Sequence, residues 1–164
     1  MARSATHGVI PGRGARGARS TRGVDEEADA LRMVTLRMIA DKDYLALART
    51  SAMHVGALLA FPLGRVSDLR LAVDEACLSF LDAPAYRDPD LPYATSVPPG
   101  TLELAYDRYA TQLHVTLRGT APAGWPERHE PGWAVLESLV GEVRAEVRDG
   151  EGVLTLIDPL PTGR

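Results

Sequence analysis

VSDLRLAVDEACLSFLD, residues Val66 to Asp82, decides how the rest of the chain is read. Leu69, Val73, Ala76, Cys77 and Phe80 recur three and four residues apart, which gathers them on one side of an α-helix. Ser67 is placed to cap that helix, and Asp68 puts a negative charge in its first turn. Beside the apolar face runs a second stripe of Asp68, Glu75, Ser79 and Asp82, with Ala72 between them. A narrow acidic stripe next to a buried face has two readings: a solvated helix edge, or the wall of a ligand site.

Upstream, Leu31 to Ala40 alternates. Leu31, Met33, Thr35, Arg37 and Ile39 point one way, and Val34, Leu36 and Met38 the other, as in a strand. Asp41 or Asp43 can cap a following helix that runs to about Ala60. Its apolar face is Tyr44, Leu47, Ala48, Ser51, Ala52, Val55, Leu58 and Leu59; Arg49 and His54 lie away from the centre. Phe61-Pro62-Leu63-Gly64 breaks this helix before the next begins.

Downstream, Ala83 to Gly100 holds five prolines and reads as a long loop. Thr101–Asp107 and Thr111–Arg118 alternate and form a hairpin. Gly119 to Pro131 is a second loop, and Gly132 opens a short helix that Gly141 ends. Glu142–Arg148 is a strand, Asp149-Gly150-Glu151-Gly152 a tight turn, and Val153–Ile157 the last strand, stopped by Pro159. The order of elements predicts an α+β fold, a two-layer sandwich with one mixed, mostly antiparallel sheet and helices on one face.

The chain has 164 residues, enough for one domain with a sizeable core. A net charge of −4 gives no global pull toward nucleic acid, so no direct nucleic-acid binding is expected. Cys77 is the only cysteine, which rules out an internal disulfide and a cysteine-built metal site; no metal ligands are expected. No apolar run reaches the ~20 residues of a membrane span, and the N-terminus has no apolar core of a secretory signal. A cytoplasmic protein is the expectation. Residues 1–28 form an arginine- and glycine-rich tail expected to be disordered, and residues 29–164 a single domain. The tail reads as dispensable, or as a basic arm that touches an acidic partner or nucleic acid; deletion of Met1–Arg22 is expected to leave thermal stability unchanged.

The element order and the wording LRLAVDEACLSF resemble the GHKL (Bergerat-fold) ATPase superfamily, in particular the small bacterial anti-sigma factors that are also serine protein kinases. Ala72, Val73, Glu75 and Ala76 match the family's helix pattern, Leu47 and Arg49 match the helix before it, and VGEVRAEVRDGEGVLTLIDPLP is similar to the closing elements. The resemblance runs from about Leu31 to Pro161. It implies a homodimer, a sigma factor or anti-anti-sigma-like protein as partner, and a nucleotide site lined by Glu75, Ser79, Asp82, Gly119, Thr120 and Gly132, with Glu75 as the catalytic base.

The departures fall on that site. Ser79 stands where the family uses an asparagine to reach magnesium, and a serine hydroxyl is a weaker ligand for a hard cation. Gly119 stands where an aspartate accepts a hydrogen bond from adenine, and both glycines of the same motif have become Ala121 and Ala123. Before Gly132, Pro131 lacks an N–H and Glu130 repels phosphate. Each missing charge-assisted hydrogen bond costs roughly 1.5–3 kcal/mol, one to two decades of affinity. The expected function is therefore a regulatory binding protein like an anti-sigma factor, without ATP turnover and with no cofactor. The alternative is a Mg-ATP-dependent serine kinase that acts on an anti-anti-sigma-like substrate. Trp125 and Trp133 are candidate contacts for a different ligand, or plugs of an empty site.

Overall fold

The structure, a computed structural model, describes residues 30–81, 100–125 and 131–162. The expectations for the N-terminal tail, the proline-rich loop and Asp82 fall outside them. Five strands form one sheet: β1 (Leu31–Ile39), β2 (Thr101–Arg108), β3 (Gln112–Thr120), β4 (Glu142–Arg148) and β5 (Glu151–Pro159). Their spatial order is β1-β2-β3-β5-β4, and all four pairings are antiparallel. The parallel component expected of a mixed sheet is therefore missing among the described residues. Its absence has a local cause. Asp149 and Gly150 both take positive φ, 52° and 81°, as a two-residue type I′ hairpin requires. The chain reverses there, and β5 slots between β4 and β3.

That turn also corrects the expected boundaries. Glu151 and Gly152 belong to β5, paired with Arg148 and Val147, rather than to the turn. Pro159 ends β5 from inside, opposite Gln112 of β3. The ladder with β4 stops at Ile157–Glu142, so Pro159 lies beyond the part of β5 that has neighbours on both sides. In β1, the register slips between Arg32 and Val34. This bulge puts Arg32 on the same face as Thr35, where its guanidinium reaches both Asp107 and the Thr35 hydroxyl. Strict alternation had grouped Leu31 and Met33 with Thr35.

Three helices cover one face: α1 (Leu45–Leu58), α2 (Leu63–Leu81) and α3 (Pro131–Leu139). The central α2 packs between α1 and α3 and lies over β3. A 3-10 turn, Lys42–Tyr44, precedes α1, and the Asp41 carboxylate caps it by accepting the Asp43 N–H at 2.9 Å. The helix predicted from Val66 begins three residues earlier. Ser67 is therefore not its cap; its hydroxyl donates back to the Leu63 carbonyl at 3.1 Å. Pro62 takes the cap position instead, with its carbonyl accepting the Val66 N–H, and it removes no needed donor there.

Leu69, Val73, Ala76, Cys77 and Phe80 are buried as their spacing predicts, and Ala72 is buried with them. They meet Leu102, Leu104 and Tyr106 of β2, Leu113, Val115 and Leu117 of β3, and Leu154 and Leu156 of β5 in one core. The buried face of α1 is narrower than its pattern suggested. Ala48, Ala52, Val55 and Gly56 are inside, whereas Tyr44, Leu47 and Leu58 stand exposed. The face that packs on α2 includes Gly56, where a Cβ would sit 3.3 Å from Val66 Cγ2, and Leu47 and Leu58 lie off that face. The buried Tyr106 hydroxyl is satisfied by Ser51 of α1 at 2.8 Å. Arg65, at the start of α2, pairs with the buried Asp158 at the end of β5. Burial pushes the Asp158 carboxyl up, and Arg65 and the Gly141 N–H pull it back.

Candidate functional site

The candidate site lies along the edge of α2 that faces α3 and the adjoining ends of β3 and β5. Its first feature is Glu75. This side chain is half-buried and has no hydrogen-bond or ion-pair partner among the described residues. Its carboxylate lies against the first turn of α3. A Cβ built on Gly132 would stand 2.8 Å from Glu75 Oε1, so a side chain there would have to displace the carboxylate. Glu75 and Gly132, separated by 57 positions in sequence, are thus brought together. Unpartnered among the described residues, this carboxylate can accept a hydrogen bond from a ligand.

One turn along the helix, Ser79 does not point into the space beside Glu75. Its hydroxyl donates to the Ala76 carbonyl of its own helix at 2.7 Å, a local bond that competes with any external ligand.

The second feature is a bare patch on the sheet. Gly119 of β3 and Gly152 of β5 are direct cross-strand partners. With no side chain on either, the sheet has a shallow depression at this point, and the Phe80 ring from α2 fills it. A Cβ on Gly119 would lie 3.2 Å from Phe80 Cδ1 and 3.1 Å from Leu102 Cδ1. A Cβ on Gly152 would lie 2.9 Å from Phe80 Cε1 and 3.1 Å from Trp125 Cζ3. The Trp125 ring closes over Phe80, with centroids 5.1 Å apart and planes tilted by 46°, a favourable aromatic geometry. Trp125 is held in a turn whose N–H donates to the Pro122 carbonyl at 3.2 Å.

The remaining residues separate. Alternation along β3 puts Thr120 on the opposite face of the sheet from Gly119, with Arg118 two positions before it on that same far face. Thr120 is therefore not brought to Glu75. Trp133 is buried in the core rather than lining a site. Cys77 is buried as well, and burial pushes its thiol up to about 12, which makes it an inert core residue. Among the described residues no group of three or more His, Cys, Asp or Glu side chains is placed to hold a metal ion. Also among them, no helix is long and apolar enough to cross a membrane.

The spacing of Phe80 marks it as core and gives it no site role, and Gly152 reads from the sequence as part of a turn. Each is informative only when the register is known, since nothing in the linear sequence says that residues 119 and 152 are neighbours.

No protein-family model and no curated protein matches the sequence. Solved structures do match. The crystal structure of the RsbU and RsbW domains of Rv1364c from Mycobacterium tuberculosis superposes with a TM-score of 0.55 and 17% identity. The superposition covers 78% of this chain and 33% of that one, so the match takes in about a third of the longer protein. At that identity the likeness establishes the fold: the chain is an RsbW-like α/β sandwich.

Proposed function

We propose that this protein is a regulatory binding protein of the anti-sigma type, which captures a sigma factor or an anti-anti-sigma-like regulator, as a homodimer and without ATP turnover. The observation that carries this reading is the Phe80 ring seated on the Gly119–Gly152 pair under Trp125. Gly119 is the position where the resembled family reads adenine. A purine there would have to displace a ring that is only 8% exposed and packed on two strands. Ser79 supports the same reading, since its hydroxyl is spent within the helix. With the adenine position filled and the Ser79 hydroxyl engaged, these residues do not fit Mg-ATP. The RsbW-like fold and the match of Ala72, Val73, Glu75 and Ala76 support the partner class.

The kinase reading rests on one feature. Glu75 is retained, unpaired among the described residues, against the first turn of α3. A base without an oriented nucleotide has no phosphoryl group to transfer.

Isothermal titration of the full chain against the alternative sigma factors of its own cell, with and without Mg-ATP, tests the proposal. Binding to one of them that is indifferent to Mg-ATP is the expected result. Failure of all of them to bind at tens of micromolar protein refutes sigma-factor capture, and the same result with the cell's anti-anti-sigma-like proteins refutes the partner class. Binding that requires Mg-ATP and is lost in Glu75→Ala restores the kinase.

A further inference from the structure

The helices cover one face of the sheet, and the other carries a groove of about 730 Å³. The register explains its shape. Ala105 of β2, Thr116 of β3 and Thr155 of β5 are aligned across the strands and form a low floor. Arginines from three strands rise around it: Arg32 of β1, Arg118 of β3, and Arg144 and Arg148 of β4. Two carboxylates also line the groove, and both are engaged. Asp107 is paired with Arg32, and Glu146 with Arg148. Arg144 is held by Glu142 just outside. Arg118 differs. It is half-buried at the middle of the face and has no hydrogen-bond or ion-pair partner among the described residues. The hydroxyls of Thr116 and Thr155 beside it also have none.

We propose that this groove binds an acidic peptide segment of a partner protein, with Arg118 as the central contact. The guanidinium fork matches a carboxylate with two parallel hydrogen bonds. The two threonine hydroxyls supply further donors on the floor. The Arg144–Glu142 and Arg148–Glu146 pairs join residues two apart on one exposed strand. Such pairs are weakly held, so these arginines can turn to an incoming carboxylate. Length selects a peptide over a small anion. The groove reaches from β1 to β4, a span of about 19 Å at the usual strand spacing. That equals roughly six extended residues. Charge makes the proposal discriminating. The whole chain carries −4, so its general field repels an acidic peptide and attraction has to come from a local concentration of arginines such as this groove. The site lies on the opposite face from Glu75 and Gly132 and does not depend on the function proposed for them.

The test is fluorescence anisotropy of a labelled oligoglutamate peptide titrated with the full chain at low and raised salt. Saturable binding that weakens with salt is expected. Arg118→Gln should weaken it about tenfold, the effect of losing one good charged contact. Arg118→Lys, which keeps the charge and loses the fork, should fall between. Arg70→Gln, on α2 in the helical layer, should bind like wild type. Because Arg118 has no partner among the described residues, Arg118→Gln should unfold at the wild-type urea midpoint, which separates lost binding from lost structure. Four outcomes overturn the proposal. These are no saturable binding, equal binding of an oligolysine peptide, wild-type affinity in Arg118→Gln, and displacement by inorganic phosphate at constant ionic strength. Preference for a single-stranded RNA over the peptide overturns it too, by making the surface a nucleic-acid site.

Discussion

Putting an aspartate back at position 119 separates a filled pocket from an open one. If the pocket were open, Gly119→Asp would be tolerated and would move the protein toward nucleotide binding. The structure says otherwise. A Cβ at 119 meets Leu102 Cδ1 at 3.1 Å, Phe80 Cδ1 at 3.2 Å and the Thr101 carbonyl at 3.5 Å. The first two contacts are tight enough that the neighbours must yield by a few tenths of an ångström. Overpacking of this kind costs about 1–3 kcal/mol. Alanine in place of a strand glycine recovers about 0.5–1 kcal/mol of that through backbone entropy. Gly119→Ala should therefore lose about 1 kcal/mol. Gly119→Asp adds a carboxylate against Phe80, Leu102 and the Thr101 carbonyl, and its total loss should reach about 4 kcal/mol. The crowding comes partly from the Phe80 ring, so trimming that ring should give relief. Phe80→Leu alone costs about 1–1.5 kcal/mol. Combined with Gly119→Ala it should cost less than the two together, by about 0.5–1 kcal/mol. Urea unfolding followed by tryptophan fluorescence reads all of this. A loss of 1 kcal/mol moves the midpoint by roughly 0.5 M. A Gly119→Asp midpoint equal to wild type, or strict additivity of Phe80→Leu with Gly119→Ala, would refute the reasoning. So would a gain of Mg-ATP analogue binding in Gly119→Asp.

Two further predictions concern the fold. Ellman's reagent should leave Cys77 unmodified in the native protein at pH 8 and react once urea unfolds it. The folded thiol lies near 12 against an ordinary 9.0, so its contribution is intact below pH 9 and is lost as pH rises toward 12. That loss amounts to about 4 kcal/mol, and Cys77→Ala should remove its share of the alkaline fall, with the burial-raised Tyr106 phenol left to act in the same direction. Ala60 ends α1 with φ +56°, a left-handed conformation that suits glycine, so Ala60→Gly should raise stability by about 0.5–1 kcal/mol in the same urea assay.

How much was legible in the chain depended on the range of the interaction concerned. The α2 face was legible because helical spacing is local: Leu69, Val73, Ala76, Cys77 and Phe80 are within twelve residues of one another and are all buried. β4 was read from Glu142 to Arg148 and is found there, because its alternation is local too. The start of α2 was misplaced because Pro62 and Ser67 are both acceptable caps by chemistry, and the choice between them depends on how the chain leaves α1. The exposure of Leu47 and Leu58 is not legible in the sequence, because which part of the apolar face of α1 is covered depends on its packing against another helix, where Gly56 meets Val66.

The amino-acid sequence alone determined the class of fold, the set of elements, the core face of α2 and the candidates Glu75 and Gly132. Periodicity, proline, glycine and capping act over one or two turns of chain, and those effects are written in consecutive residues. Tertiary structure alone decided the rest: that β5 lies between β3 and β4, that Gly119 and Gly152 face each other under Phe80 and Trp125, and that Thr120 stands with Arg118 on the far face. These depend on strand register, which joins residues more than 30 positions apart, and a shift of one residue would move every side chain to the other face.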